Sequence, residues 1–374
     1  MATTDFLQSF DDPAIARQLL RTIGLLAERI GRDVRIMEVC GTHTMEIARC
    51  GLRSVLPPSV HLVSGPGCPV CVTSQHDIDE IIALARVGGV TLATFGDMMR
   101  VPGTAGSLQD LKAEGAHVEV VYSPLDSLEL ARKNPQQQVV FAGIGFETTA
   151  PATAIALQRA REVGLSNFSL YCAHKTVPPV LEVLAEDEDL RIDALMLPGH
   201  VSTIIGSQPY GFLPEDHGLP GVIPGFAPVD LLQGIAMILR QIDESAPRIE
   251  IAYARGVQPE GNPTARAAID GVFEPADEDW RGFGCIPDSG LAIRASFGDL
   301  DAMRRFDLHV EAAGEPAGCR CADVLRGIIA PDGCALFGNT CSPEHPVGPC
   351  MVSSEGSCAA FHRYAPLRRG SSDG

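Results

Sequence analysis

Long apolar runs, aromatic side chains and basic residues are all scarce in this chain of 374 residues. No segment approaches the roughly 18 consecutive apolar residues of a membrane-spanning helix, so we expect none. Aromatic residues make up 5% of the sequence, with one Trp and five Tyr, so burial must rest on Ala, Val, Ile and Leu. The formal net charge of −18 argues against nucleic acid and anionic membrane surfaces as partners.

The N-terminal residues lack the basic and then apolar pattern of a signal peptide, and we therefore expect a cytoplasmic protein. Twelve cysteines in a reducing compartment are more typical of metal binding or redox chemistry than of a disulfide framework. Six of the twelve lie between Cys319 and Cys358, which makes the C-terminal segment a candidate metal centre.

The pattern of apolar residues predicts an α/β fold. Residues 1–30 carry apolar side chains at helical spacing and are predicted to form a helix that packs on the core. From Val34 onward, short β-branched runs alternate with helical segments, as in parallel sheets covered by helices on both faces. The predicted strands are 34–39, 61–63, 90–95, 117–122, 139–142, 168–172, 194–197, 222–223 and 249–253.

A shift of 104 residues brings several landmarks of the chain into register. Residues 35–44 then fall on 139–148, and residues 123–128 fall on 227–232. Several matches at one offset indicate two duplicated parallel-sheet α/β units, which we place at 31–135 and 136–240. Each unit is predicted to hold four strands, with function at their carboxyl ends. Residues 241–374 are predicted to form a C-terminal iron–sulfur domain with a frayed tail.

A glycine- and proline-rich turn presents Cys68 and Cys71 between a predicted strand and a predicted helix. Two cysteines at this spacing lie within disulfide reach, and amides at a helix start stabilise a thiolate. The alternative is two small apolar residues packed in a tight turn. Glycines and prolines at 65–67 and 69 favour chemistry because they shape an unusual backbone. The spacing does not choose between redox and metal binding.

Other polar residues directly follow predicted strands, at the edge where an open α/β sheet binds its ligands. Cys40 ends the first strand, and His43 is a candidate base, ligand or hydrogen-bond partner of its thiol. The alternative for Cys40 is a buried structural cysteine. Further candidates for the same cleft are Asp97, Arg100, Glu147, His174 and His200. The alternative for Asp97 and Arg100 is a surface ion pair, and that for the two histidines is a helix-cap or packing role.

The C-terminal cysteines are Cys319, Cys321, Cys334, Cys341, Cys350 and Cys358. Four thiolates hold either an iron–sulfur cluster or a structural zinc ion. Paired Cys-x-x-Cys knuckles would favour zinc, and this segment has none. The wide, uneven spacing favours an iron–sulfur cluster but does not select four ligands from the six.

Several motifs together resemble the HypD family of maturation factors for nickel–iron hydrogenases. They are Cys-Gly-Thr-His-Thr at 40–44, Gly-Pro-Gly-Cys-Pro-Val-Cys at 65–71, Phe-Gly-Asp-Met-Met-Arg-Val-Pro-Gly at 95–103, Gly-Ile-Gly-Phe-Glu-Thr-Thr-Ala-Pro at 143–151 and Pro-Gly-His-Val-Ser at 198–202. The segment 346–358 is also similar to that family, so the resemblance runs from residue 30 to residue 364.

The resemblance implies a scaffold on which an iron atom receives two cyanides and one carbon monoxide. It implies a HypC-type chaperone that carries the iron, a HypE-type cyanide donor and an electron donor that the sequence does not identify. The family's iron-binding thiol falls on Cys40, and its redox dithiol falls on Cys68 and Cys71. Its spacing of 14, 6 and 16 residues selects, as ligands of a [4Fe–4S] cluster, Cys319, Cys334, Cys341 and Cys358.

Two other functions fit parts of the sequence. The first is a thiol–disulfide oxidoreductase of the ferredoxin–thioredoxin reductase type, whose cluster domain the HypD family's own resembles. The second is a zinc-stabilised α/β binding protein without redox chemistry. An ordinary reductase would need no third cysteine at Cys40, and a brown colour after anaerobic purification would separate iron–sulfur from zinc.

Overall fold

The computed structural model describes residues 12–187, 190–311 and 313–364. Its strands lie close to the predicted ones, and those from β1 to β9 pair only in parallel, which confirms the α/β class. The strands are β1 (Val34–Glu38), β2 (Val60–Ser64), β3 (Val90–Thr94), β4 (His117–Val120), β5 (Gln138–Gly145), β6 (Phe168–His174), β7 (Ala194–Met196), β8 (Gly221–Ile223), β9 (Ile249–Ile251), β10 (Phe273–Trp280) and β11 (Gly284–Ile293).

Two parallel sheets carry the fold. The first sheet has the strand order β2-β1-β7-β8-β9, and the second has the order β4-β3-β5-β6. The chain crosses from the first sheet to the second between β2 and β3, and it returns between β6 and β7. Strands β10 and β11 form an antiparallel hairpin, which meets the end of β6 through a bridge between Lys175 and Gly290.

The two predicted units do not each form a sheet. Strands β1 and β2, from 31–135, join β7 and β8, from 136–240, in the first sheet, and β3 and β4 join β5 and β6 in the second. The strand orders β2-β1-β7-β8 and β6-β5-β3-β4 nonetheless correspond when β1–β4 are matched one by one to β5–β8. A duplication of β1–β4 as β5–β8 requires this correspondence. The halves interleave because the connections after β2 and after β6 both cross to the other sheet.

Helices connect and cover the strands, and no helix in the described ranges is long and apolar enough to cross a membrane. They are α1 (Pro13–Ile30), α2 (Gly41–Arg49), α3 (Leu52–Val55), α4 (Pro69–Val72), α5 (Gln75–Arg86), α6 (Leu108–Ala113), α7 (Pro124–Lys133), α8 (Ala150–Glu162), α9 (Val177–Glu186), α10 (Gly199–Ile205), α11 (Phe212–His217), α12 (Pro228–Glu244), α13 (Pro263–Val272), α14 (Ala302–Arg305), α15 (Cys321–Leu325), α16 (Pro349–Val352) and α17 (Ser357–Tyr364).

Local sequence explains where two of these helices begin. The helix predicted over 1–30 begins at Pro13, because the Asp12 side chain accepts a hydrogen bond from the Ala14 amide and caps its first turn. Residues 1–11 lie outside the described residues. Helix α5 begins with a reciprocal cap between Ser74 and Asp77, and it follows the dithiol turn directly.

One of the buried apolar clusters contains the predicted redox residues. Trp280 and Met37 pack in it together with Cys68 and Cys71. Four of the C-terminal cysteines belong to the same cluster: Cys321, Cys341, Cys350 and Cys358. The C-terminal segment also packs on the first sheet, since α17 lies on α2 and Gly327 approaches Met37 of β1. The fold thus brings the end of the chain to the carboxyl ends of β1 and β2.

Candidate metal and redox site

The turn that carries the dithiol packs directly on the end of β1. The Gly41 amide donates a hydrogen bond to the Gly67 carbonyl at 2.9 Å. A Cβ atom added to Gly67 would lie 2.3 Å from the Cys40 nitrogen, so only glycine permits this approach. Cys40 occupies the N-cap position of α2 without a side-chain cap bond, whereas the Cys68 sulfur caps the start of α4. Cys40 and the dithiol turn, predicted to be neighbours, are thus in contact.

Cys40 lines a cleft of about 250 Å³. Residues that follow β1, β2, β5 and β7 form its walls, so the carboxyl ends of both sheets meet there. Phe146 and Thr149 come from the second sheet, His200 comes from the first, and Glu355 comes from the C-terminal segment. The cleft is therefore assembled from parts that are distant in sequence, and a ligand in it would contact all of them.

The Cys40 thiol is protonated in the resting protein. Burial raises its pKa to about 11, and the negative charge of Glu355 acts in the same direction. The backbone N–H groups of Thr42 and His43 at the start of α2 oppose this shift. A soft metal ion that binds the sulfur must therefore displace a proton, and the helix start then stabilises the thiolate.

The His43 ring is buried and forms no hydrogen bond of normal geometry among the described residues. Its centroid lies 5.0 Å from the ring of Phe226, which stacks with His200 at 4.0 Å. Burial lowers the pKa of His43 to about 3, so the ring is neutral. The His43 ring turns toward the loop after β8, so it is not the hydrogen-bond partner that was expected for the Cys40 sulfur. Backbone N–H groups interact with the sulfur instead.

Cys68 and Cys71 form a disulfide with their Cα atoms 5.3 Å apart. The Cys71 amide also donates a hydrogen bond to the Cys68 sulfur at 3.3 Å. Both residues are buried, with 3% and 0% of their surface exposed. A disulfide on a large protein substrate therefore cannot meet this pair without local opening.

Asp97 and Arg100 lie on the 3₁₀ turn Gly96–Arg100 after β3, and both bind the C-terminal segment rather than each other. The Ser353 hydroxyl donates to Asp97 at 3.0 Å, and Arg100 donates to the Pro343 carbonyl at 2.9 Å. These contacts hold the segment that contributes Glu355 to the cleft. The two residues therefore position the site rather than enter it.

Glu147 follows β5 and is buried beside the cleft. One carboxylate oxygen accepts a hydrogen bond from the Val177 amide at 2.9 Å, and the other has no hydrogen-bond partner among the described residues. Burial raises the pKa of Glu147 to about 7. The carboxyl group can therefore gain or lose a proton near neutral pH.

His174 and His200 do not face the same cleft. His200 lines the cleft of Cys40, whereas His174 is buried at the end of β6. The His174 ring lies 3.3 Å from the Thr153 hydroxyl and 3.6 Å from the Cys172 sulfur. Burial lowers the pKa of His174 to about 4. His174 therefore packs within the second sheet as a neutral ring.

The C-terminal cysteines converge on one pocket. The cysteines that line it are Cys319, Cys321, Cys334, Cys341 and Cys358. Cys350 lies beside them, within hydrogen-bond reach of Cys321 and Cys358. A Cβ atom added to Gly348 would lie 2.7 Å from the Cys319 sulfur and 2.9 Å from the Cys321 sulfur, so this glycine leaves room for them.

The donors of this pocket are of the chemical kind that holds an iron–sulfur cluster. Thiols are the protein ligands of such clusters, and hydrogen bonds from Cys321 and Cys350 lower the pKa of Cys358. The described ranges contain no group of three His, Cys, Asp or Glu side chains placed to hold a metal ion. Because Cys321 and Cys350 lie among the other cysteines, the choice of four ligands rests on the family spacing.

Three residues of this region were not predicted: Glu355, Arg281 and Lys175. Glu355 accepts a hydrogen bond from the Thr42 hydroxyl at 2.6 Å, at the start of α2. Arg281 and Lys175 are buried cations, and Lys175 pairs with Glu278 at 2.7 Å. No local spacing links these positions to the cysteines, although Glu355 lies within the family-like segment 346–358.

Comparison with known proteins identifies the family. The family model of HypD, described as the hydrogenase formation hypA family, matches residues 14–365. The chain belongs to the HypD family. It is 48% identical over 373 residues to hydrogenase maturation factor HypD of Rhodobacter capsulatus, with 97% of this chain and 99% of the relative covered. Identity is 45% over 371 residues to the Azotobacter vinelandii factor, covering 97% of this chain and 98% of the relative.

The Escherichia coli factor of the same name is 43% identical over 364 residues, with 96% of this chain and 98% of the relative covered. The HypD resemblance drawn from the cysteine, glycine and histidine motifs is thereby confirmed over nearly the whole chain. Membership places the protein among the factors for hydrogenase formation.

Proposed function

We propose that this protein is the scaffold on which the iron of a nickel–iron hydrogenase receives two cyanides and one carbon monoxide. One observation carries the proposal. The Cys40 thiol opens to a cleft, and the Cys68–Cys71 turn packs against it on the buried cluster that contains the C-terminal cysteines. A substrate-binding thiol, a dithiol and a cysteine centre are thus in one continuous structure.

The iron substrate binds at Cys40. Iron that carries cyanide and carbon monoxide is soft and suits thiolate ligation. The thiol supplies one ligand after losing its proton, and the amides at the start of α2 stabilise the resulting charge. Among the residues that line the cleft, Cys40 is the soft donor, so further ligands come from outside. A cysteine of a small HypC-type chaperone is the natural second ligand.

The resident cofactor is a [4Fe–4S] cluster, for which the family spacing selects Cys319, Cys334, Cys341 and Cys358 as ligands. When bound, it supplies single electrons. The chain's own contribution is the Cys68–Cys71 pair, which takes up two electrons, with one or two protons, when the disulfide is reduced. A HypE-type protein donates the cyanide.

Burial of the dithiol disfavours the alternative of a general disulfide oxidoreductase. With Cys71 fully buried, a protein disulfide cannot approach the sulfur for direct exchange. Such an enzyme would also leave the Cys40 cleft without a role.

The experiment is anaerobic co-purification with a HypC-type chaperone, followed by infrared spectroscopy. The complex should absorb in the cyanide and carbonyl stretching regions and should contain iron beyond that of one cluster. A complex that contains a cluster but shows neither band, after co-expression with a cyanide donor, would contradict the scaffold function. A colourless protein with zinc in place of iron would contradict the assignment of an iron–sulfur cluster as the cofactor.

A further inference from the structure

Arg281 is a buried cation without an acidic partner. It is 2% exposed and follows β10 at the turn of the hairpin. Its Nε atom donates to the Thr73 carbonyl at 3.1 Å, and its Nη2 atom donates to the Gln75 side-chain oxygen at 3.3 Å. No carboxylate lies within salt-bridge distance of it in the described part of the chain; the Gln75 amide separates it from Asp79.

Arg281 lies where the dithiol segment meets the C-terminal cysteines. Its amide donates to the carbonyl of Val72, the residue after Cys71, at 2.9 Å. On the other side, a Cβ atom added to Gly282 would lie 2.8 Å from the Cα atom of Ala322, the residue after Cys321. Arg281 therefore contacts the segment that follows the dithiol, and its neighbour Gly282 adjoins the helix that begins at Cys321.

The second buried cation of this region shows what is unusual about Arg281. Lys175 is 1% exposed, and its charge is balanced by Glu278 at 2.7 Å and Asp77 at 3.6 Å. An unbalanced charge in the same interior is unfavourable unless another group supplies the opposite sign. The segments that Arg281 adjoins carry cysteines, whose thiolates supply negative charge when they are reduced or bound to iron.

We propose that Arg281 is a positioning residue whose buried charge favours the reduced, more negative forms of the Cys68–Cys71 pair and of the C-terminal cysteine centre. Its hydrogen bonds to Thr73 and Gln75 hold the dithiol segment against that centre. The inference rests on the proposed function, because it requires the dithiol to be redox-active. On reduction, the S–S bond takes two electrons; one proton gives a thiol and a thiolate, and the guanidinium favours that thiolate.

The test compares reduction potentials in Arg281→Gln, Arg281→Lys and wild type. The dithiol couple is equilibrated anaerobically in glutathione buffers and read by thiol labelling, and the cluster is titrated by its visible absorption. Arg281→Gln should shift the dithiol equilibrium at least tenfold toward the disulfide, about 30 mV for two electrons. The cluster should shift tenfold, about 59 mV for one electron. Arg281→Lys should stay within threefold of wild type.

The control is Arg294→Gln, which removes a half-exposed arginine just after β11 and should leave both potentials unchanged. Gln75→Glu is an independent test, because it keeps Arg281 and places a carboxylate against its guanidinium group. This variant should shift the potentials in the same direction as Arg281→Gln. Potentials equal to wild type in folded Arg281→Gln, or in Gln75→Glu if the former does not fold, overturn the inference. A wild-type dithiol that never interconverts overturns the proposed redox function instead.

Discussion

Gly67 lies directly against the backbone of Cys40. The Gly67 carbonyl accepts a hydrogen bond from the Gly41 amide, and a Cβ atom at Gly67 would also lie 2.5 Å from the Cys40 Cα atom. This contact sets the distance between the thiol in the cleft and the dithiol turn. Because both partners are backbone, neither can move aside as a flexible side chain can.

We therefore expect Gly67→Ala to damage the site and the fold together. Overpacking a rigid contact costs about 1–3 kcal/mol of unfolding free energy. Denaturant unfolding measures this loss. Gly88→Ala is the matched control, because a Cβ atom there meets nothing within 4 Å. Equal stability of Gly67→Ala and wild type would show that the turn is free to shift.

Much of the fold could be predicted because the strands are locally encoded. Val34–Glu38 and Gln138–Gly145 carry apolar residues at most positions, and their match at one offset predicted the duplication. The sharing of each sheet between the two halves could not be predicted. The pairing of Ile36 with Ala194 depends on which sheet the connections after β2 and β6 reach, and no local pattern specifies that.

The candidate site, like the fold, could be predicted only in part. Cys40 and Cys68 were placed together because residues at the carboxyl ends of neighbouring parallel strands meet at one edge. Glu355 and Arg281 were not predicted, since long-range packing alone brings them to the cysteines. The orientation of His43 toward Phe226 was missed because a ring's rotamer depends on neighbours that are distant in sequence.

Glu147 gives a pH-dependent prediction. Its pKa is raised to about 7 in the folded protein by burial, so the folded state binds more protons than the unfolded state between about pH 4.5 and 7. Stability contributed by this group should fall as pH rises through that window. Glu147→Gln should therefore gain on wild type by on the order of 2 kcal/mol between pH 5 and pH 8. Denaturant unfolding at both pH values measures the difference.

The control for this comparison is Glu114→Gln, which changes an exposed carboxylate at the C-terminal end of α6. Its difference from wild type should be the same at both pH values. Parallel pH profiles for Glu147→Gln and wild type would mean that Glu147 is ionised in the folded protein.

The Cys68–Cys71 pair should interconvert as a unit. Alkylation before and after reduction, read by mass spectrometry, should change at both positions together. Cys285 is exposed on the hairpin and should be labelled throughout, which provides an internal standard. A metal ion held by both sulfurs in the resting protein would instead make them ligands.

The ligand set of the cluster is testable by substitution. Alanine at each family-selected position should lower the iron content and soluble yield after anaerobic purification, because the folding of this segment depends on the metal centre. The positions are Cys319, Cys334, Cys341 and Cys358. Cys321→Ala and Cys350→Ala should be milder, although both thiols lie in the same group. Loss of iron in either as severe as in Cys341→Ala would refute this choice.

The most direct test of the scaffold is the infrared spectrum of Cys40→Ser co-purified with its HypC-type chaperone. The variant should fold, keep its cluster and bind the chaperone, because serine preserves the start of α2 and the contact with Gly67. Cys285→Ser, at an exposed cysteine, is the matched control and should retain the bands of wild type. We predict that Cys40→Ser loses the cyanide and carbonyl bands together with the iron that carries them. Undiminished bands in Cys40→Ser would contradict this prediction and move the iron site to Cys68 or Cys71.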